Sequence, residues 1–351
     1  MNIKNSLLSV FLLLFFSSGF SQIGGNNTYE FLNLPFSART ASLGGTVIGV
    51  KDDDLNLTFQ NPSLLDSSMN NKLAMSYVNY FSDVNYGYTA YSRTFDKIGS
   101  FSAGLQFLNY GDFIAADETG LITGGFGAAE YSFNIGYGRS IDSTKNIGAT
   151  LKTIYSKLEH YTSIGSAIDI AGTYYNAKHL FTAAAVVKNI GVQWKPYVEG
   201  NKEPLPFEVQ VGFSKKLAKA PFRFSVAGQH LEKWDLTYVD PEHPVLTEDP
   251  ITGDPIKQNK VKIFGDKLMR HVIVGGELML TKNFHFNFGY NYGRRQELKV
   301  DTRPGMIGFS WGLGFKISKF YLSYGRAAYH LAGASNHFTL TTNLSDFYSK
   351  K

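Results

Sequence analysis

The stretch Ile307-Gly308-Phe309-Ser310-Trp311-Gly312-Leu313-Gly314-Phe315-Lys316-Ile317 decides the fold class. Its odd positions are all large and apolar. Its even positions are glycine, serine and one lysine. A period of two places these two sets on opposite faces of an extended chain. The pattern recurs. Phe284, Phe286, Phe288, Tyr290 and Tyr292 alternate with His285, Asn287, Gly289 and Asn291. Tyr131, Phe133, Ile135 and Tyr137 alternate with Ser132, Asn134, Gly136 and Gly138.

A soluble β-sandwich also alternates, but its outward face carries Lys, Glu and Thr. Here the second face is Gly, Ser and Asn, which suits the crowded polar interior of a barrel. The candidate strands are about 9–12 residues long, which matches a tilted membrane strand better than the usual roughly 5–6. Tyr77, Tyr80, Tyr86, Tyr110, Tyr155, Tyr174 and Tyr292 gather near strand ends, as in an interfacial girdle. The expected fold is an all-β, 14-stranded antiparallel transmembrane barrel.

The expected strands are 73–80, 84–95, 98–109, 129–140, 145–155, 165–175 and 179–190. They continue at 205–216, 221–231, 270–281, 283–293, 305–317, 319–327 and 336–344. Tight turns at Asp96-Lys97, 141–144, 176–178, 217–220, Thr281-Lys282 and Ser318-Lys319 fall at every second connection. Longer loops at 110–128, 156–164, 191–204, 232–269, 294–304 and 328–335 fall between them. Short turns at one rim and long loops at the other are the pattern of an outer-membrane barrel.

Composition agrees. Aromatics make up 15% and charged residues only 18%, with 35 glycines. Yet the mean hydropathy is −0.15, because only one side of each strand would meet lipid. After the leader, no apolar run approaches the roughly 20 residues of a spanning helix. A closed barrel is then the form in which the chain can cross a bilayer, since lipid cannot satisfy open strand edges.

The leader is read at residues 1–21. Lys4 gives a positive start, Leu7 to Phe16 a short apolar run, and Gly19-Phe20-Ser21 a small-x-small cleavage pattern. The mature chain is expected to begin at Gln22. Without Lys4 the net charge falls from +5 to +4, which does not call for nucleic acid. There is no cysteine, so disulfides, thiolate chemistry and zinc–cysteine sites are excluded.

Residues 22–72 do not alternate as barrel strands. They are read as an N-terminal hatch ahead of a barrel at 73–351, with Thr46 to Val50 strand-like. The hatch motif is Gly44, Gly45, Asn61 and Pro62. Asp52-Asp53-Asp54 lacks the alternating ligands, glycine and closing acid of a calcium loop, and reads as a hydrogen-bonded turn.

Ala41-Ser42-Leu43-Gly44-Gly45, the acidic turn and Asn61-Pro62-Ser63-Leu64-Leu65 together resemble the hatch of FadL-type barrels, a superfamily that includes PorV-type proteins. The opening Gly24 to Arg39, Asp266-Lys267-Leu268-Met269-Arg270-His271, Lys282-Asn283-Phe284 and Gly289 to Arg295 are similar to the PorQ family of type IX secretion. The resemblance covers nearly all of the expected mature chain. It implies a non-enzymatic outer-membrane barrel, without cofactor, that holds a PorZ-like surface protein. PorU-like sortase and PorV-like shuttle would complete the complex that attaches cargo to lipopolysaccharide.

Two surface sites are expected. The long loop carries Asp240, Glu242, Glu248 and Asp249, then Lys257 and Lys260, and reads as a partner-docking surface. Arg294 and Arg295 open an outer loop where guanidinium groups suit lipopolysaccharide phosphates. Lys316 and Glu277 could pair across the interior. The dispersed histidines show no metal-binding spacing, and no Gly-x-Ser-x-Gly elbow is present. The alternative function is a FadL-like channel for hydrophobic small molecules.

Overall fold

The computed structural model describes residues 27–237, 259–281, 283–299, 305–330 and 333–348. The expected leader at 1–21 lies outside them. So does 238–258, which contains most of the charged docking loop.

Fourteen strands form one closed antiparallel barrel. They are β1 (Lys72–Asn79), β2 (Asn85–Phe95), β3 (Gly99–Ala116), β4 (Ile122–Ser140), β5 (Lys145–Leu158), β6 (Tyr161–Asn176) and β7 (Phe181–Lys195). The series continues with β8 (Glu208–Lys216), β9 (Phe222–Gly228), β10 (Val272–Thr281), β11 (Phe284–Asn291), β12 (Phe309–Ile317), β13 (Phe320–His330) and β14 (Gly333–Asn343). Each strand pairs with its sequence neighbour. β1 closes on β14 from Lys72↔Asn343 to Asn79↔Asn336. Closure removes both free edges, as lipid requires.

The burial pattern is that of a protein turned inside out. On β4 and β5, Phe133, Ile135, Ile147 and Leu151 are nearly half exposed on the outside. On the same strands Ser132, Asn134, Asn146 and Lys152 are buried. Apolar wall outward and polar lining inward is the arrangement of a transmembrane barrel, and it excludes the sandwich.

The expected loops need correction. Residues 110–128 continue the wall, and β3 and β4 stay paired out to Ala116↔Ile122. The ladder breaks register between Asn109 and Asp112 and again between Ala115 and Ala116. Similarly, β5 and β6 remain paired to Leu158↔Tyr161, and β13 and β14 to His330↔Gly333. A hairpin beyond the bilayer is wet on both faces, so its apolar alternation fades although its backbone still pairs. The expected loop at 232–269 contains helix α2 (Lys260–Arg270), and that at 294–304 begins in α3 (Tyr292–Leu298). Ile307, placed on the outward face by alternation, lies before β12 and is buried.

Residues 27–71 lie within the ring of strands. They contain helix α1 (Ala38–Ser42) and four short 3-10 segments at Glu30–Asn33, Leu55–Phe59, Pro62–Leu64 and Ser67–Met69. Thr46 to Val50 is no strand, because the wall already pairs with itself and leaves no edge to join. Phe31, Leu32, Phe36, Leu43, Ile48, Leu55, Leu57, Leu64 and Leu65 are at most 2% exposed. Each such burial contributes about 1.5–3 kcal/mol, so apolar packing is the main force seating the segment.

Candidate functional site

The hatch runs from the long-loop rim to the short-turn rim. Near the loop rim, the Thr28 amide donates to Pro204 O at 2.9 Å, and the Tyr29 hydroxyl hydrogen-bonds Ser163 on β6. Below lies an aromatic cluster in which Phe36 meets Tyr86 edge-on at 5.2 Å, with Tyr88 beside it at 6.4 Å. Ser37 caps α1 by accepting from the Thr40 amide. The first helical amide, Ala38 N, instead donates to Thr339 Oγ1 on β14 at 2.9 Å.

Arg39 on α1 is the centre of the site. Its Nε donates to Glu277 Oε1 on β10 at 2.9 Å. Its Nη1 and Nη2 reach Asp54 at 3.0 Å and Asp52 at 2.6 Å. Arg223 on β9 bridges the same acids, pairing with Glu277 and donating to Asp52 at 3.0 Å. The cluster thus joins two cations and three carboxylates from hatch and wall. The Arg39, Arg223 and Glu277 side chains are 9%, 10% and 3% exposed.

Burial disfavours charge on Arg39, but Asp52, Glu277 and Asp54 together hold its pKa well above the ordinary value. Burial also opposes ionisation of Asp52. Arg39 and Arg223 outweigh it and hold the carboxyl well below the usual carboxylate range. Asp52 and Asp54 order the turn as well. Asp52 accepts from the Asp54 amide, and Asp54 caps the 55–59 segment through the Asn56 amide. Asp53 turns outward to pair with Lys72 at the start of β1.

A second anchor lies on the β5–β7 side. Lys152 and Asp169 form an ion pair of 2.6 Å with both side chains at most 1% exposed. Lys152 also donates to Asn189 Oδ1 at 2.8 Å, and Asn189 donates to hatch residue Asn33 at 2.9 Å. Asn189 has a positive φ of 57° and lies in a bulge of β7, where Val187 to Ile190 oppose Ile168 to Ile170 of β6. The bulge aims its amide into the lumen.

The expected hatch motif has clear structural work. Gly44 and Gly45 have φ of +100° and +108°, a region open to glycine. Gly44 O accepts from Asn291 and from Arg294 at 3.3 and 3.2 Å. Asn61 is fully buried. It accepts from the Ser63 amide, and its Nδ2 donates to Ile48 O at 2.7 Å and Thr173 Oγ1 on β6 at 3.0 Å. Pro62 occupies the first position of its 3-10 turn, against Gly148 of β5.

The two arginines are placed differently from the outer-loop expectation. Arg294 lies on α3 and reaches back to hatch Gly44, with its guanidinium 4.2 Å from the centre of the Tyr329 ring. Arg295 donates to Ile307 O at 3.0 Å. Asn291 caps α3, so this segment folds over the rim as a helix. Of the charged docking residues, Lys260 heads α2. Asp240, Glu242, Glu248, Asp249 and Lys257 are outside the described residues. Glu277 pairs with Arg39 and Arg223 in place of Lys316.

Sequence reasoning missed Arg39, Arg223 and the Lys152–Asp169 pair as site residues. For Arg223, Lys152 and Asp169 the signal was a charge at a lumen-facing register position, which is costly unless paired; Arg39 lies in the non-alternating hatch, where no register marks it. Among the described residues no group of three or more His, Asp or Glu side chains is placed to hold a metal. The arrangement fastens the hatch: opposite charges from hatch and wall satisfy one another.

Comparison with known proteins gives architectural likeness only. No family model matches the chain, and no curated protein matches it. Among solved structures, the Pseudomonas putida toluene transporter TodX is similar at 11% identity, with a TM-score of 0.48, covering 88% of this chain and 96% of that one. A Pseudomonas aeruginosa FadL homologue is similar at 9% identity, with a TM-score of 0.47, covering 88% and 98%. The KdgM porin has 6% identity, a TM-score of 0.34 and coverage of 77% and 98%.

Proposed function

We propose that the chain is a bacterial outer-membrane barrel that works as a closed anchor. It holds a surface protein at its loop rim within the attachment machinery of type IX secretion. The observation that carries the closed-anchor reading is the Arg39–Glu277–Arg223–Asp52 cluster, which ties the hatch to the wall inside the lumen. A solute path would have to displace buried, paired charges, and removing one partner of such a pair costs about 3–5 kcal/mol. The loop rim is then the working surface.

The biological setting rests on the resemblance of the Gly24–Arg39 and Asp266–His271 segments to the PorQ family. It supplies the expected partners: a PorZ-like surface protein, PorU-like sortase, PorV-like shuttle barrel and lipopolysaccharide. The charged stretch from Asp240 to Lys257 is the proposed docking element.

Affinity purification of the detergent-solubilised protein tests this reading. Co-purification of a large soluble surface protein, lost on deletion of residues 240–257 while the barrel still folds, supports it. A folded barrel that carries bound lipid and no protein partner refutes it.

The second reading is a FadL-like channel for hydrophobic small molecules. The buried cluster of Phe31, Phe36, Tyr86, Tyr88 and Leu108 favours it, because it offers an apolar surface inside the wall. The ladder break at Asn109–Asp112 on β3 begins at the residue after Leu108. Uptake of a labelled apolar solute into proteoliposomes, abolished by filling that break, would establish transport.

A further inference from the structure

Helix α2 is amphipathic in the reverse sense to a soluble helix. Val261, Phe264 and Leu268 share one face at i, i+3 and i+7 spacing. That face is turned outward, with the three side chains 80%, 57% and 44% exposed. The polar face is turned toward the protein. Asp266 accepts from Tyr292 of α3 at 2.7 Å and from Arg270 at 2.8 Å, and Lys267 donates to Asp235 at 2.6 Å. Trp234, half exposed, packs on Phe264 with ring centroids 5.3 Å apart and extends the apolar face.

Position and charge identify what covers this face. Through His271, α2 leads directly into β10 at the loop rim. The outward positions of β9 and β10 below it, Phe224, Val226 and Val274, belong to the lipid-facing wall. Leu231, three residues before Trp234, packs toward the outward positions Val211 and Gly228. A Cβ placed on Gly228 would lie 3.4 Å from Val211 Cγ2 and 3.5 Å from Leu231 Cδ2. Leu231, Trp234 and Phe264 therefore continue the lipid-facing surface upward to the rim. Lys260, Lys262, Lys267 and Arg270 stand against the single acid Asp266 on this helix. A basic helix with an exposed apolar face at the membrane boundary has the composition of an interfacial, lipid-lying helix.

We infer that α2 lies in the outer-leaflet headgroup region of the surrounding bilayer. Val261, Phe264 and Leu268 sit at the acyl boundary, and Lys260 and Lys262 face anionic headgroups. The helix is a lipid-binding element outside the barrel wall. This inference does not depend on the surface partner proposed above.

The chain has no cysteine, so single spin labels report cleanly. Full-length Phe264→Cys and Lys262→Cys variants are labelled and reconstituted in phosphatidylcholine vesicles with or without phosphatidylglycerol. Heat-modifiable gel migration verifies that each barrel is folded. The expected result is several-fold greater shielding from a water-soluble nickel chelate at 264 than at 262. Shielding should increase with phosphatidylglycerol, and that increase should be lost in Lys260→Glu/Lys262→Glu carrying the 264 label. Equal chelate access at 264 and 262 in both vesicle types overturns the inference. So does shielding at 264 that arises only when a surface protein is added, which would make the face a protein-docking site. Shielding that is indifferent to phosphatidylglycerol overturns the assignment of the lysines to anionic headgroups.

Discussion

Gly289 on the barrel wall lies directly against Gly44 of the hatch: a Cβ on Gly289 would fall 2.2 Å from the Gly44 amide nitrogen. The same Cβ would fall 2.3 Å from the carbonyl carbon of Leu43. Gly44 in turn has a left-handed backbone, and a Cβ there would meet Ile273 Cγ2 at 2.4 Å. Two glycines thus permit a backbone-to-wall contact that no larger residue allows.

Substitution of Gly289 by Val is expected to expel or tilt the hatch while leaving the ladder of β11 intact. Overpacking of this kind costs roughly 1–3 kcal/mol. Limited proteolysis should show cleavage within residues 38–54 under conditions where the wild type is resistant. A protease pattern identical to wild type would mean that the wall can yield at this point.

Arg39→Ala removes the cation that Glu277, Asp52 and Asp54 share. Those acids stay in a confined space with only Arg223 to offset them. The expected loss is about 3–5 kcal/mol of hatch stability, because a buried charge is left without its partner. Glu277→Gln in the same chain should recover part of it. Hydrogen exchange of residues 38–54 reads the change directly, and planar-bilayer recordings should show current in Arg39→Ala that the wild type lacks.

Acid should loosen the hatch. The pKa of Asp52 is lower in the folded protein than in the unfolded chain, where Asp titrates near about 3.9. Its contribution is therefore complete above that value and declines as the pH falls below about 4 toward the folded pKa. Protease resistance of the hatch should be flat from neutral pH to mildly acidic conditions, then fall. Asp52→Asn should be less stable at neutral pH and should show a shallower acid transition. An unchanged transition in that variant would remove Asp52 from the cause.

Asn61→Ala deletes a cap and two buried hydrogen bonds at once. The lost cap is worth about 1 kcal/mol, and leaving the buried Ile48 O without its Asn61 donor adds about 1–3 kcal/mol, while Thr173 keeps Ser63 as a partner. Thermal unfolding followed by near-ultraviolet dichroism should show a lower midpoint, with far-ultraviolet strand signal retained. Asn61→Asp should recover the cap to Ser63 but not the donation to Ile48.

Alternation in 284–292 and 307–317 was enough to read the wall, and the turn spacing was enough to count its strands. Both signals are local. Lipid outside and a polar lumen inside impose opposite demands on successive residues, so the period survives in any short window. The signal failed where that contrast ends, at the β3–β4 extension and at α2 and α3, whose surroundings are wet or mixed. Gly44, Gly45, Asn61 and Pro62 stood out because turn geometry and capping restrict residue type within a few positions.

What the lumen holds together was decided by closure. Arg39 and Glu277 are 238 residues apart, and Asn291 reaches Gly44 across 247. Glu277 and Asn291 alone are ordinary polar side chains at permitted lumen-facing registers, and nothing local to Arg39 or Gly44 names either of them as a partner. The sequence by itself determined a 14-stranded barrel with a non-strand segment ahead of it. Only the closed ring, which carries β9, β10 and β11 round to the hatch, decided that Arg39 would be the residue that fastens it, because a charge buried there persists only beside the opposite charges that closure brings to it.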